Sequence, residues 1–393
     1  MPLMAGQEAE IGALGATILL GVVGRLFLKK TGISDVFILL LFGVAAGALL
    51  PADMIPGIGG LLLPMGAIAL LIIILDEGLH LSFEELRKQA HKAVLFSLFS
   101  FASAFLLSFA LSYVALGFDL FLSLLIASIF ASVAPELVSG FLSAREASES
   151  TRGLAEIEAT LSDALSVMLA LLITALALHG RAGAFDFEAL PAELGLIIAI
   201  SAACGGIFAA LWKGVVLRIA AENEHLIAIG LAAALYALSG FLGANGVISV
   251  FVFGFFLGNT SHKSVEEVRR FHSEISFFLR TFFFVYLGVL LFHSPKPIEV
   301  GLFALALSIL LAASRAISSR AVALLEPSVR KGRLLEAVSS RGLTSAVLCV
   351  VVSSELSHAG HPLPFDLPLL ALFVIFFTNA ISAWLVFRNR SKE

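Results

Sequence analysis

Long apolar segments separated by short polar breaks make up almost the whole chain. Runs of about 18 to 25 residues, each able to cross a hydrocarbon core as a helix, recur with short polar breaks between them. Thirteen are read, over 9–28, 33–50, 58–79, 93–115, 118–143, 149–179, 191–217, 225–242, 246–259, 270–292, 300–325, 333–357 and 366–387. The ninth is short. The pattern predicts an all-α polytopic membrane protein, one integral membrane domain over residues 1–393.

Two segments carry interruptions. Pro135, mid-way along the fifth, removes a backbone donor and predicts a kink or break there. The run Ser339-Ser340-Arg341-Gly342-Leu343-Thr344-Ser345 divides the twelfth. Irregular backbone at membrane depth is tolerated where it is buried in protein or lines a wet cavity. The breaks lie seven segments apart, an odd offset that puts related segments in opposite membrane orientation, as in inverted-repeat transporters. Spans four to six are therefore paired with eleven to thirteen.

Charge orients the chain. Lys and Arg collect in every second loop: Lys29 and Lys30; Arg87, Lys88 and Lys92; Arg145 and Arg152; Lys213 and Arg218; Lys263, Arg269 and Arg270; Arg320, Arg330, Lys331 and Arg333; and Arg388, Arg390 and Lys392. The intervening loops hold Arg181 and Lys296. Since basic loops stay cytoplasmic, the N-terminus is expected outside and the C-terminus inside.

Composition agrees: 59% of the 393 residues are hydrophobic and 14% charged, with mean hydropathy +1.01. Cys204 and Cys349 lie in apolar runs without metal-ligand spacing, so no disulfide framework or transition-metal site is expected. Acidic Glu8 and Glu10 take the place of a basic leader, so no removed signal peptide is expected, nor a soluble regulatory domain after the last span. Gly57 to Gly60 follows no strand, which gives a dinucleotide fingerprint no support; no cofactor, nucleic-acid partner or enzymatic chemistry is expected. Asn259-Thr260-Ser261 matches a glycosylation pattern but falls on the cytoplasmic side. The nine histidines, among them His80, His225 and His272, are read as solvated at span ends or in loops, and Asp76 and Glu77 as interfacial.

Charges within the spans mark the candidate site, because such residues face a bundle interior and find partners there. Arg25 is near enough to Lys29 to reach the interface, whereas Arg280, Arg315 and Arg341 sit deep. Glu136 follows Pro135 in the fifth span; Glu156, Glu158 and Asp163 lie in the sixth. Helical spacing puts Glu156, Thr160 and Asp163 on one face. Asp163, mid-membrane beside Thr160 and Ser162, has the oxygen neighbours that a hard alkali cation prefers. The expected cation- and proton-binding residues are Asp163, Ser162, Thr160, Glu136 and Glu156. Glu158, Arg315, Arg341 and Arg280 are read as structural ion-pairing residues.

These residues resemble the cation:proton antiporter superfamily, most closely its NhaP-like and Na+/H+-exchanger-like branch. The resemblance rests on Glu156-x-Glu158-x4-Asp163, Arg280-Thr-Phe-Phe-Phe-Val-Tyr-Leu-Gly288, Arg315 and Arg341-Gly342, and covers nearly the whole chain in span order. It implies an NhaA-like inverted-repeat fold of thirteen helices and a homodimer in the cell membrane. Spans four to six and eleven to thirteen would form an ion-translocating core moving against a scaffold of spans one to three and seven to ten. It also implies that Asp163 binds the ion, that Glu158 and Arg315 pair, and that Arg341 stands beside the broken helix. Na+ is the expected cation, with K+ or Li+ as alternatives, exchanged electroneutrally for H+. The chain departs from the branch in two places: Ser162 stands where Asn is usual, and Val133-Ala134-Pro135 replaces Thr-Asp-Pro, with Glu136 as a shifted carboxylate. A Kef-like K+ efflux pathway and a sodium-coupled symporter of an organic anion are the competing readings.

Overall fold

A computed structural model describes residues 12, 15–24, 26, 35–49, 55–81, 83–143, 149–178, 190–216, 223–260, 264–292, 297–325, 333–361 and 363–388. All regular structure among them is helical. In chain order the elements are α1 (Gly15–Gly24), α2 (Asp35–Leu49), α3 (Ile55–His80), α4 (Phe83–Phe109), α5 (Leu120–Phe130), α6 (Pro135–Ser143), α7 (Glu149–Leu178), α8 (Leu190–Leu211), α9 (Glu224–Phe241), α10 (Gly246–Gly258), α11 (Ser264–Phe292), α12 (Pro297–Leu325), α13 (Arg333–Ala337), α14 (Leu343–His358) and α15 (Leu367–Arg388). Single π-turns extend α4 over Ala110–Ala115 and α8 over Trp212–Val216. Seven helices among the described residues are long and apolar enough to cross a membrane, and shorter apolar helices accompany them. The basic residues of several loops, Lys29, Lys30, Arg145 and Arg330 among them, fall outside the described residues.

Polar side chains start several helices by accepting otherwise orphaned N–H groups. Asp119 accepts from Leu122 N at 2.9 Å ahead of α5, Asn245 accepts from Val247 N and Ile248 N ahead of α10, and Asp366 accepts from Leu369 N at 3.1 Å. The ninth predicted span becomes α10, 13 residues long; at 1.5 Å per residue that is about 20 Å, short of a ~30 Å hydrocarbon core.

Two groups of helices can be distinguished by packing. In the first, α2 lies along α11, and α10 along α3 and α8; in the second, α4 packs on α7 and α12, and α12 on α15. Gly43 meets Gly288 and the Val285 carbonyl, and Gly78 meets Gly254, so closely that a side chain at either position would strike backbone. Without a hydrophobic force between helices in lipid, such close backbone contact supplies the packing that holds them together.

Both predicted interruptions are present. The fifth segment stops at Phe130 and resumes at Pro135, with irregular backbone over 131–134; the twelfth stops at Ala337 and resumes at Leu343. Pro135 does not kink a helix: it opens one, at the first helical position, where its missing N–H costs nothing and its fixed φ suits the turn. The two irregular stretches cross, Ala134 N donating to Ser340 O at 3.0 Å.

Candidate functional site

The crossing of the broken helices positions everything around it, and its polar backbone is satisfied from the helices on either side. On one side stands α7: Val133 N donates to Ser162 Oγ at 3.5 Å, and Ser166 Oγ donates to Ser128 O at 2.6 Å. On the other stands α15: Ser339 N donates to Ser382 Oγ, Arg341 N to Thr378 Oγ1, and Asn379 Nδ2 to Arg341 O. The first break is thus held by the polar face of α7 and the second by that of α15.

Arg341 closes the junction. Its Nε and Nη2 donate to Phe130 O at 3.0 and 2.9 Å, and Nη1 donates to Ser339 O at 2.5 Å. Ser345 Oγ donates to Ile129 O at 3.1 Å. The guanidinium therefore caps the C-terminal carbonyls of α5, where the helix dipole concentrates negative charge. Expected among the ion-pairing residues, Arg341 instead directs its donors to main-chain carbonyls, with Glu158 and Asp163 within electrostatic reach.

Asp163 projects from α7 into this junction and is 2% exposed. Thr344 Oγ1, on the first turn of α14, donates to Asp163 Oδ2 at 2.6 Å. The Ser132 hydroxyl, from the first break, and the Glu77 carboxyl, from α3, stand close enough to Asp163 to interact with it. Four separate stretches of chain thereby deliver two carboxyl groups and two hydroxyls to one buried point. Glu77, read from sequence as interfacial, stands beside Asp163; α3, which carries it, packs on α10, α11 and α14.

A second buried charge cluster lies to one side. Arg315 Nη1 is 2.8 Å from Glu158 Oε1, both side chains nearly inaccessible. The same guanidinium donates to Ser100 Oγ and Leu335 O and lies over the Phe96 ring. An ionised pair so deep is tolerated only with this much additional hydrogen bonding. Arg280, on α11, places its guanidinium over the Phe277 ring.

The remaining sequence-derived candidates are arranged differently from the expectation. Ser162 Oγ donates to Ala159 O at 2.9 Å and receives Val133 N, so it ties α7 to the break. Glu156 and Thr160 are partly buried on α7; among the described residues no hydrogen bond or ion pair joins either to Asp163. Glu136 lies on the first turn of α6, and its side chain is outside the described residues. His272, expected to be solvated, is fully buried on α11, its Nδ1 bonded to Val268 O at 2.7 Å. Among the described residues no cluster of His, Cys, Asp and Glu has the makings of a metal site.

The family model for the transmembrane sodium/hydrogen exchanger matches residues 12–387. The chain belongs to the sodium/hydrogen exchanger family. Among its relatives is a protein named as the K+/H+ antiporter NhaP of Alkalimonas amylolytica, 25% identical over 304 residues, which are 74% of this chain and 51% of that protein. Another is named as the K+/H+ antiporter NhaP2 of Shewanella sp. strain MR-4, 29% identical over 300 residues, 72% of this chain and 49% of the relative. The exchanger chain thus spans about half the length of the curated relatives it matches. A solved structure described as the sodium proton antiporter MjNhaP1 from Methanocaldococcus jannaschii at pH 8 superposes with a TM-score of 0.79 at 19% identity, over 98% of this chain and 99% of that one. The architecture is therefore that of a known sodium/hydrogen exchanger fold.

Three members of the Asp163 cluster were not singled out by the sequence. Ser132 and Thr344 lie inside the two interrupted segments, so the polar breaks pointed at them without singling them out. Glu77 had a weaker signal, an acidic pair closing an otherwise apolar helix. Only its approach to Asp163 distinguishes it from Asp76, which turns instead to Ser273 and His80.

Proposed function

We propose that this exchanger moves a monovalent cation across the membrane in exchange for protons, with Asp163 and Glu77 as the exchanging pair. The observation that carries the reading is the 2.6 Å hydrogen bond from Thr344 to the buried Asp163 carboxyl at the crossing of the broken helices, with the Glu77 carboxyl beside it. Like charges this close resist ionising together, so in this reading the pair holds one proton between them when no cation is bound. A cation entering between them takes the place of the shared proton, which leaves. The site then carries the same net charge whether it holds the proton or the cation. This makes the exchange one for one and electrically silent.

Four oxygen-bearing side chains and no nitrogen or sulfur suit hard alkali cations. Na+ is the first expectation from the sequence, while two relatives are named as K+/H+ antiporters, so both cations belong in the test. Alternating access follows from where the ligands originate. Asp163, Ser132 and Thr344 sit on the α4–α7 and α12–α15 group, the proposed moving core; Glu77 sits on α3, within the proposed scaffold of α1–α3 and α8–α11. A shift of core against scaffold separates the two carboxyl groups and opens the site to one side at a time. The equivalent support that α7 and α15 give to the two breaks favours an inverted repeat of spans four to six with eleven to thirteen. A homodimer built through the scaffold, thirteen spans, and a cell-membrane location with cytoplasmic C-terminus complete the reading.

The test is reconstitution into proteoliposomes carrying a pH-sensitive dye. Na+ or K+ pulses drive proton flux in the wild type, Asp163→Asn abolishes it, and a membrane potential clamped with an ionophore leaves the rate unchanged. Flux that survives Asp163→Asn removes Asp163 from the exchange step, and a wild type without cation-dependent flux removes the antiport reading.

A further inference from the structure

Many buried hydroxyls here donate to backbone carbonyls: Thr174, Thr281, Ser308 and Thr378 to the carbonyl four residues earlier, at 2.7 to 2.8 Å, and Ser166 and Ser345 to carbonyls at the end of α5. Thr344 donates to a carboxyl group instead. Its hydroxyl, 6% exposed, donates across to the Asp163 carboxylate, and the bond is short, as bonds to ionised acceptors are.

Its position is set by its neighbours rather than by its own contacts. Arg341, three residues before it, grips Phe130 O, and Ser345, immediately after, grips Ile129 O. The first turn of α14 is thereby braced against the end of α5, and Thr344 Oγ1 has a fixed distance to α7. Each interrupted helix then contributes one hydroxyl to Asp163, Ser132 from the first and Thr344 from the second, while 131–134 contains no acidic residue.

We propose that Thr344 is a cation ligand and selectivity-setting residue of the exchanger: its hydroxyl donates to Asp163 when no cation is bound and turns an oxygen lone pair to the cation when one is. A hydroxyl has one proton to give and two lone pairs to offer, so the same oxygen serves both states with a rotation about one bond. No backbone movement is required. Because the brace fixes this oxygen, the cavity it closes against Asp163 has a preferred ion radius, and loss of the hydroxyl changes the preference as well as the affinity. The inference rests on the antiport reading.

The experiment measures initial rates of dye-reported exchange in proteoliposomes against Na+ and K+ concentration at fixed pH, for wild type, Thr344→Val, Thr344→Ser and Thr174→Val. Valine keeps the shape and removes the hydroxyl. The expected result is a rise in cation KM of roughly tenfold for Thr344→Val, the scale of losing one bond to a charged group, with kcat nearly held and the Na+ to K+ KM ratio altered. Thr344→Ser restores both KM values, and Thr174→Val, which loses an equally buried hydroxyl, keeps them at wild type. A Thr344→Val KM and ion ratio equal to wild type overturn the inference while leaving antiport intact, as does a Thr344→Ser variant no better than valine. Absence of flux in the wild type itself overturns the antiport reading, and the ligand assignment with it.

Discussion

His80 shows how much a single contact decides at the residue scale. It closes α3, with its ring half exposed, and Nδ1 lies 3.3 Å from Asp76 Oδ1. Burial of the ring opposes its charge, and Arg269 opposes it further, but the hydrogen bonds and attraction of Asp76 outweigh both and hold the imidazole above its ordinary value. With the folded value raised, the contribution to stability is complete below the unfolded value of about 6.5 and disappears as pH rises through the folded one. The melting temperature of the wild type in detergent therefore exceeds that of His80→Ala at pH 5.5, and the difference closes by pH 8.5. A difference that grows with pH contradicts the pairing. The effect is small, because the ring is 51% exposed and water screens the pair.

At the scale of elements, the question is what breaks the fifth segment. Pro135 was the visible cause in the sequence, yet it occupies the first position of α6, where proline is favoured. The irregular backbone is held instead by Ser162 on α7 and by Ser340 and Arg341 in the second break. Pro135→Ala is therefore expected to keep the break, with a stability change within about 1 kcal/mol. Arg341→Leu leaves the carbonyls of Phe130 and Ser339 buried without their donor, at a cost of about 1–3 kcal/mol for each such group. Thermal unfolding of the two variants in the same detergent checks the order; a Pro135→Ala variant less stable than Arg341→Leu would place the cause back in the local sequence. Charge at the ends of the elements works in the same non-local way, Arg269 bonding Leu79 O and Gly258 O at the C-termini of α3 and α10.

For the whole molecule, the alternation of basic and neutral loops predicts which side each helix end faces. Single cysteines at Arg270 and His361, in a background without Cys204 and Cys349, test this with a membrane-impermeant thiol reagent. His361→Cys is labelled in intact cells and Arg270→Cys only after permeabilisation; the reverse pattern inverts the topology. Helix positions, both interruptions and the family were legible in the one-dimensional pattern, because the bilayer demands an apolar run of set length for every crossing and leaves few places for proline, glycine or charge. Asp163 was legible for the same reason: a carboxylate in the middle of such a run is costly and has a purpose. What it touches was not. Glu77 looked interfacial because it lies two residues from the end of the 58–79 segment, and nothing within that segment says which of its side chains approaches Asp163. Thr344 and Ser132 looked like ordinary break residues, and Ser162, Glu156 and Thr160 looked like ligands because helical spacing puts residues on a face without saying which atoms meet. The sequence by itself determined the spans, the breaks and the buried acid, all consequences of local composition against a fixed solvent. Only the tertiary structure decided the company Asp163 keeps, since its partners come from α3, from the first break and from α14, and no local rule relates their positions.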